Sequence, residues 1–181
     1  MKSHLFFTYA AAVFFLVSLF GCSSTTIKDY QKEVPKLVME EYFNGSLEAH
    51  GIFQDRSGLV VKRFKVIMNC SWKDGVGTLD EDFVYSDGTK SRRVWTLTKI
   101  AENKFKGTAS DVIGEAYGEV AGNAFQWNYT LDLPVGEKTI HVQFDDWMYL
   151  MDNRVMLNKS KMSKFGIYLG EVTLAFVKQA P

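Results

Sequence analysis

The stretch AFQWNYTLDL, from Ala124 to Leu133, constrains the fold more than any other part of this chain. Phe125, Trp127, Tyr129, Leu131 and Leu133 share one side of an extended backbone, and Gln126, Asn128, Thr130 and Asp132 share the other. Successive side chains of a strand project to opposite faces, so this period of two predicts a strand with one dry and one wet face. Burying side chains of that size contributes roughly 1.5–3 kcal/mol each. The face therefore has to anchor a core. The same alternation runs through Phe64, Val66, Met68, Cys70 and Trp72, and begins again at Ile140, Val142 and Phe144.

Turn-forming clusters separate these runs roughly every 10 to 15 residues. They are Asp55-Arg56-Ser57-Gly58, Lys73-Asp74-Gly75, Ser86-Asp87-Gly88, Glu102-Asn103, Ala121-Gly122-Asn123, Val135-Gly136-Glu137 and Asp152-Asn153-Arg154. Only the segment VPKLVMEEY, 34–42, reads as a helix, with Pro35 in its first turn and Asn44-Gly45 as its stop. Consecutive antiparallel strands on short hairpins favour a meander that closes on itself and so removes its edges. The chain is expected to be all-β: a lipocalin-like up-and-down antiparallel β-barrel of about nine or ten strands with one short N-terminal helix. A β-sandwich is the second choice.

The N-terminus predicts an address. Lys2 precedes an apolar run from Leu5 to Phe20, which has the length of a signal segment and is short for a membrane span. Leu19-Phe20-Gly21-Cys22 resembles the lipobox of bacterial lipoproteins, although Phe20 stands where a small residue is usual. The resemblance implies a diacylglycerol thioether on Cys22 and an acylated amino terminus, and several acyl chains hold a membrane firmly. A plain secretory peptide, with Cys22 left free, is the alternative. Ser23 after the cysteine implies passage to the periplasmic face of the outer membrane. The expected organisation is a signal peptide over 1–21, a lipidated cysteine and linker over 22–33, and one barrel domain over 34–181. With Cys22 lipidated, Cys70 has no disulfide partner and reads as a small core hydrophobe.

The segments YFNGSLEAHGIFQDRSG, GTLDEDFVYSDG, GTASDVIGEAYGEVAGNAFQWNY, FDDWMYLMDN and NKSKMSKFGIYLGEVTL resemble an uncharacterised, domain-of-unknown-function family of predicted proteobacterial lipoproteins. The resemblance covers about Tyr42 to Lys178 and implies no reaction. Its members tend to be encoded near enzymes that modify membrane fatty acids, which is an association without a mechanism.

Composition narrows the function classes. Lys and Arg total 21 and Asp and Glu total 21, and removal of Lys2 with the signal leaves one net negative charge. No basic stripe points to nucleic acid. No nucleophile elbow, Walker loop or dinucleotide fingerprint is present, and no motif calls for a cofactor or a metal. His141 and Asp145 share a strand face with His50 as a distant third ligand, but no close histidine pair supports a metal centre. Asp80, Glu81 and Asp82 could form an acid pair with Asp145 or Asp146 only across strands, because adjacent acids point to opposite faces.

FDDWMYLMDN, from Phe144 to Asn153, sharpens the question. Regular alternation directs Asp146 inward with Phe144, Met148 and Leu150, and places Asp145 outward with Trp147 and Tyr149. An ionised carboxylate among apolar groups needs a partner. Arg93, which shares a face with Trp95 and Leu97, or its neighbour Arg92, is the expected cation. Asp146, Asp145, Arg93, Arg92, Trp147, Tyr149, Trp95 and Trp127 therefore form the expected ligand-contacting set, with Trp72 a further candidate wall residue. The leading expectation is a membrane-anchored module that binds an apolar or amphiphilic small molecule, such as a fatty acid or other lipid. A filled barrel that contacts another envelope protein is the alternative, and an enzyme acting on a lipid-like substrate is the third. A connected cavity of about 300 Å³ or more separates the first from the second.

Overall fold

The computed structural model describes residues 24–136 and 138–180, so Cys22 and the signal segment lie outside the described residues. The alternating segments become ten strands: β1 (Gly45–Asp55), β2 (Val60–Lys73), β3 (Val76–Tyr85), β4 (Lys90–Ala101), β5 (Lys104–Thr108), β6 (Ala116–Ala121), β7 (Ala124–Val135), β8 (Lys138–Leu150), β9 (Val155–Lys164) and β10 (Ile167–Lys178). Each strand pairs antiparallel with the next. β1 then pairs with β10, from Leu47 opposite Lys178 to Asp55 opposite Gly170, and closes the barrel. The up-and-down barrel expected from the alternation is the fold.

The expected strand phases hold. Phe125, Trp127 and Leu131 of β7 are buried and Asn128 and Asp132 are exposed. On β2, Val66, Met68 and Cys70 are buried. Burial also pushes the Cys70 thiol up to about 12, so it packs as a hydrophobe. The turn clusters fall between strands, and one further hairpin forms at Phe165-Gly166, both at positive φ.

One end of the barrel is plugged by the chain that leads into β1. Leu37, Met39, Tyr42 and Phe43 are all buried there. Trp72 Nε1 donates to the Phe43 carbonyl at 2.8 Å, and the Tyr42 hydroxyl donates to the Arg154 carbonyl at 3.1 Å. At the other end the inward residues Phe53, Phe83, Leu133, Ile140 and Leu169 are only partly buried. That end is the mouth.

The expected helix over 34–42 is shorter than its pattern. Only α1 (Met39–Tyr42) is helical. Leu37 N donates to the Gly122 carbonyl at 2.8 Å, so the backbone before α1 docks on the β6–β7 turn and not on its own previous turn. Docking needs Gly122 itself: its φ is +55°, and a Cβ there would lie 1.9 Å from the Tyr30 carbonyl oxygen. Part of the segment expected as a short linker, 22–33, is likewise packed. A 3-10 turn over Ile27–Tyr30 buries Ile27 against Ala124 and Trp147 on the outer wall.

Candidate functional site

Between the plug and the mouth the barrel encloses a cavity of about 570 Å³. This lies within the roughly 300–1,000 Å³ of small-molecule sites. Its walls are mostly apolar, from Phe64 and Val66 of β2 to Val142 and Phe144 of β8 and Leu174 of β10. Trp95 and Trp127 pack with ring centroids 4.5 Å apart and both line it.

Asp146 projects into this space, as its phase predicts, and is buried. It lies across from Trp127 on β7 and from Ser160 on β9. Oδ2 accepts from Trp127 Nε1 at 3.0 Å and from the Tyr129 hydroxyl at 2.9 Å, and Oδ1 accepts from Asn158 Nδ2. Asn158 Nδ2 also donates to the Trp147 carbonyl at 3.0 Å, which holds the amide in place. Burial raises the Asp146 carboxyl to about 6, with the three donors pulling it back.

The expected arginine partner of Asp146 is not there. Arg93 does point inward, but its Nε and Nη2 engage Asp111, the latter at 2.6 Å. Arg92 points outward and grips Asp80 through two 2.7 Å bonds. Register explains the difference: Arg93 lies across from Glu81 on β3, whereas Asp146 is on β8. Three neutral donors from the strands flanking Asp146 do what a cation was expected to do.

Glu81 completes the polar patch. It is only 9% exposed, lines the cavity, and makes no hydrogen bond or ion pair among the described residues. Burial raises its carboxyl to about 7; Arg93 opposes this, and Asp111, Asp146 and Asp80 add to it. Ser160 is buried beside the Tyr129 hydroxyl, and no partner meets its Oγ in hydrogen-bonding geometry. Glu81 and Asp146 thus face one cavity from two strands, the cross-strand placement that adjacent acids on a single strand could not supply.

Residues 16–178 match the family described as Protein of unknown function (DUF3833). The chain belongs to the DUF3833 family. No curated protein matches the sequence. Among solved structures, the barrel is similar to an S-type phycobiliprotein lyase, CPES, from Guillardia theta. The TM-score is 0.59 at 10% identity, over 87% of this chain and 99% of that one. EF1p2_mFAP2b bound to DFHBI aligns with TM-score 0.43 at 8% identity, over 78% of this chain and 100% of that one. At such identities the lyase likeness establishes a shared fold.

Several expected site residues of this DUF3833 chain stand outside the cavity. Asp145 Oδ1 accepts from Gln126 Nε2 at 2.8 Å and from Trp147 Nε1 at 3.1 Å on the outer wall. Trp147 and Tyr149 stack there against each other and pack tilted against Tyr30. These three residues, with Arg92, hold the scaffold and its N-terminal strap. His50 and His141 are also external, next to Glu48 and Asp132 respectively. Trp72 closes the plugged end.

Asn158 and Ser160 were not anticipated, although Met156, Asn158, Ser160 and Met162 alternate on β9 and carry the signal. Glu81 was legible in the same way, between Leu79 and Phe83. Asp111 sits between β5 and β6, where no periodicity announces it.

Proposed function

We propose that this DUF3833 protein is a carrier for an apolar or amphiphilic small molecule of the lipid class, held inside the barrel. The observation that supports this reading is the connected 570 Å³ cavity, apolar along its walls and polar at one depth. A barrel built only to present its surface would fill that space with side chains, because an interior void forfeits packing and lowers stability. Lipid mass spectrometry of protein purified from its own cell envelope tests the reading. One retained apolar species near one per chain is expected. Recovery of membrane lipids only in bulk proportion would overturn it.

The proposed place of work is the periplasmic face of the outer membrane, with acyl chains on Cys22 as anchor. The lipobox at Leu19–Cys22 supports this placement, and the packed strap from Ile27 onward leaves only a short polar spacer between anchor and barrel. Cys22→Ser should abolish palmitate labelling and leave unprocessed precursor. Unchanged labelling and processing would remove the anchor and leave the carrier reading standing.

A further inference from the structure

We propose that the cavity selects ligands by a polar end that donates hydrogen bonds and bears no negative charge, an alkyl amine or alcohol, with Glu81 as the acceptor. The inference rests on the carrier reading and reverses the fatty-acid carboxylate that an arginine clasp would favour.

Glu81 carries the argument. A carboxyl nine-tenths buried normally has its lone pairs occupied, and this one has no partner among the described residues while opening on the cavity. Its directly opposed neighbour Arg93 is the natural cation, yet that guanidinium turns to Asp111. The fixed positive charge at this depth is therefore already matched. What remains beside the Ser160 hydroxyl, which can donate or accept, is acceptor capacity: the Glu81 carboxyl, and the Asp146 carboxyl with its three donors.

An incoming carboxylate would join Glu81 and Asp146 in a low-dielectric space whose lining arginine, Arg93, is already paired with Asp111, and like charges repel most strongly there. Lys62 lines the mouth but is drawn to Asp87 at 3.3 Å and lies over the Tyr85 ring. An ammonium or hydroxyl head meets the opposite situation: it donates to the Glu81 carboxyl and can also donate to the Ser160 oxygen, while its alkyl chain occupies the apolar wall.

The test uses decylamine, decanol and decanoate, one chain length with three heads, competing with an uncharged apolar fluorophore for the purified protein at about pH 8. Decylamine and decanol should each displace the dye at a concentration at least roughly ten-fold below decanoate. Glu81→Gln should erase the advantage of decylamine over decanol. In the native protein that advantage should grow from about pH 5 to about pH 8, as Glu81 gives up its proton. The titratable and charged groups that act on Glu81 are Arg93, Asp111, Asp146 and Cys70 from the inner side, and Asp80 from the outer face of its own strand. Asp146 also loses a proton within this window, and the Glu81→Gln series isolates the Glu81 share. Should that variant fail to fold, the native pH series decides, and a flat ratio overturns the role of Glu81. Decanoate binding as tightly as the other two would overturn the head-group preference and leave the carrier reading intact. Failure of all three to bind would overturn both.

Discussion

Asp146→Ala should lower the unfolding free energy by about 3–5 kcal/mol, read by urea denaturation, because it strands several buried donors at once. Trp127 Nε1, the Tyr129 hydroxyl and Asn158 Nδ2 all converge on that carboxylate inside the barrel, away from bulk solvent. Asp145→Ala should cost only about 1 kcal/mol, since Asp145 and its partner Gln126 are half-exposed on the outer wall, where solvent can replace the lost bond. A double-mutant cycle distinguishes the observed network from the arginine pair expected from sequence. Asp146→Ala with Asn158→Ala should cost clearly less than the two single changes together, while Asp146→Ala with Arg93→Ala should add to within about 0.5 kcal/mol. A coupling to Arg93 as large as that to Asn158 would mean that the polar patch is connected differently.

The second large effect is a reversed pH dependence. Acidic residues with lowered pKa values stabilise a fold at neutral pH and withdraw that support as pH falls. Glu81 and Asp146 do the opposite. In the unfolded chain Glu81 titrates near 4.5 and in the barrel near 7; for Asp146 the corresponding values are near 3.8 and 6. The unfolded chain therefore releases these protons first as pH rises. The contribution to stability is fully present below about 4 and is lost as pH climbs through about 7. A unit of pKa is worth about 1.4 kcal/mol, so each group weakens the neutral-pH fold by on the order of 2–3 kcal/mol. Asp80, half-buried on the outer surface, and the exposed Asp87 are held below the usual range by their partners, and they withdraw their support only at more acidic pH. The melting temperature should accordingly rise as pH is lowered from about 8 to about 5, and Glu81→Gln should flatten much of that rise. A melting temperature that falls steadily over that range would show that neither carboxyl is buried as described.

The sequence by itself determined the strand content, the phase of β2, β7 and β8 and the inward direction of Asp146. Alternation along β2, β7 and β8 depends on nearest neighbours in the chain, and a strand turns every second side chain to the same face wherever it lies. Hairpin positions were legible for the same reason, since Asp74-Gly75 satisfies its left-handed backbone locally. Tertiary structure alone decided what each inward polar group meets. Asp146 finds Trp127 and Asn158 because of the register at which β7 and β9 pair with β8, while the β3–β4 register sets Arg93 across from Glu81 and the folded chain brings Asp111 within its reach. It also decided that Trp147 and Tyr149, outward by phase, are covered by the strap around Ile27 and Tyr30. Periodicity records the face that a side chain takes. Register, closure and a docked segment distant in sequence determine what occupies the space beyond that face, and no local pattern encodes those pairings.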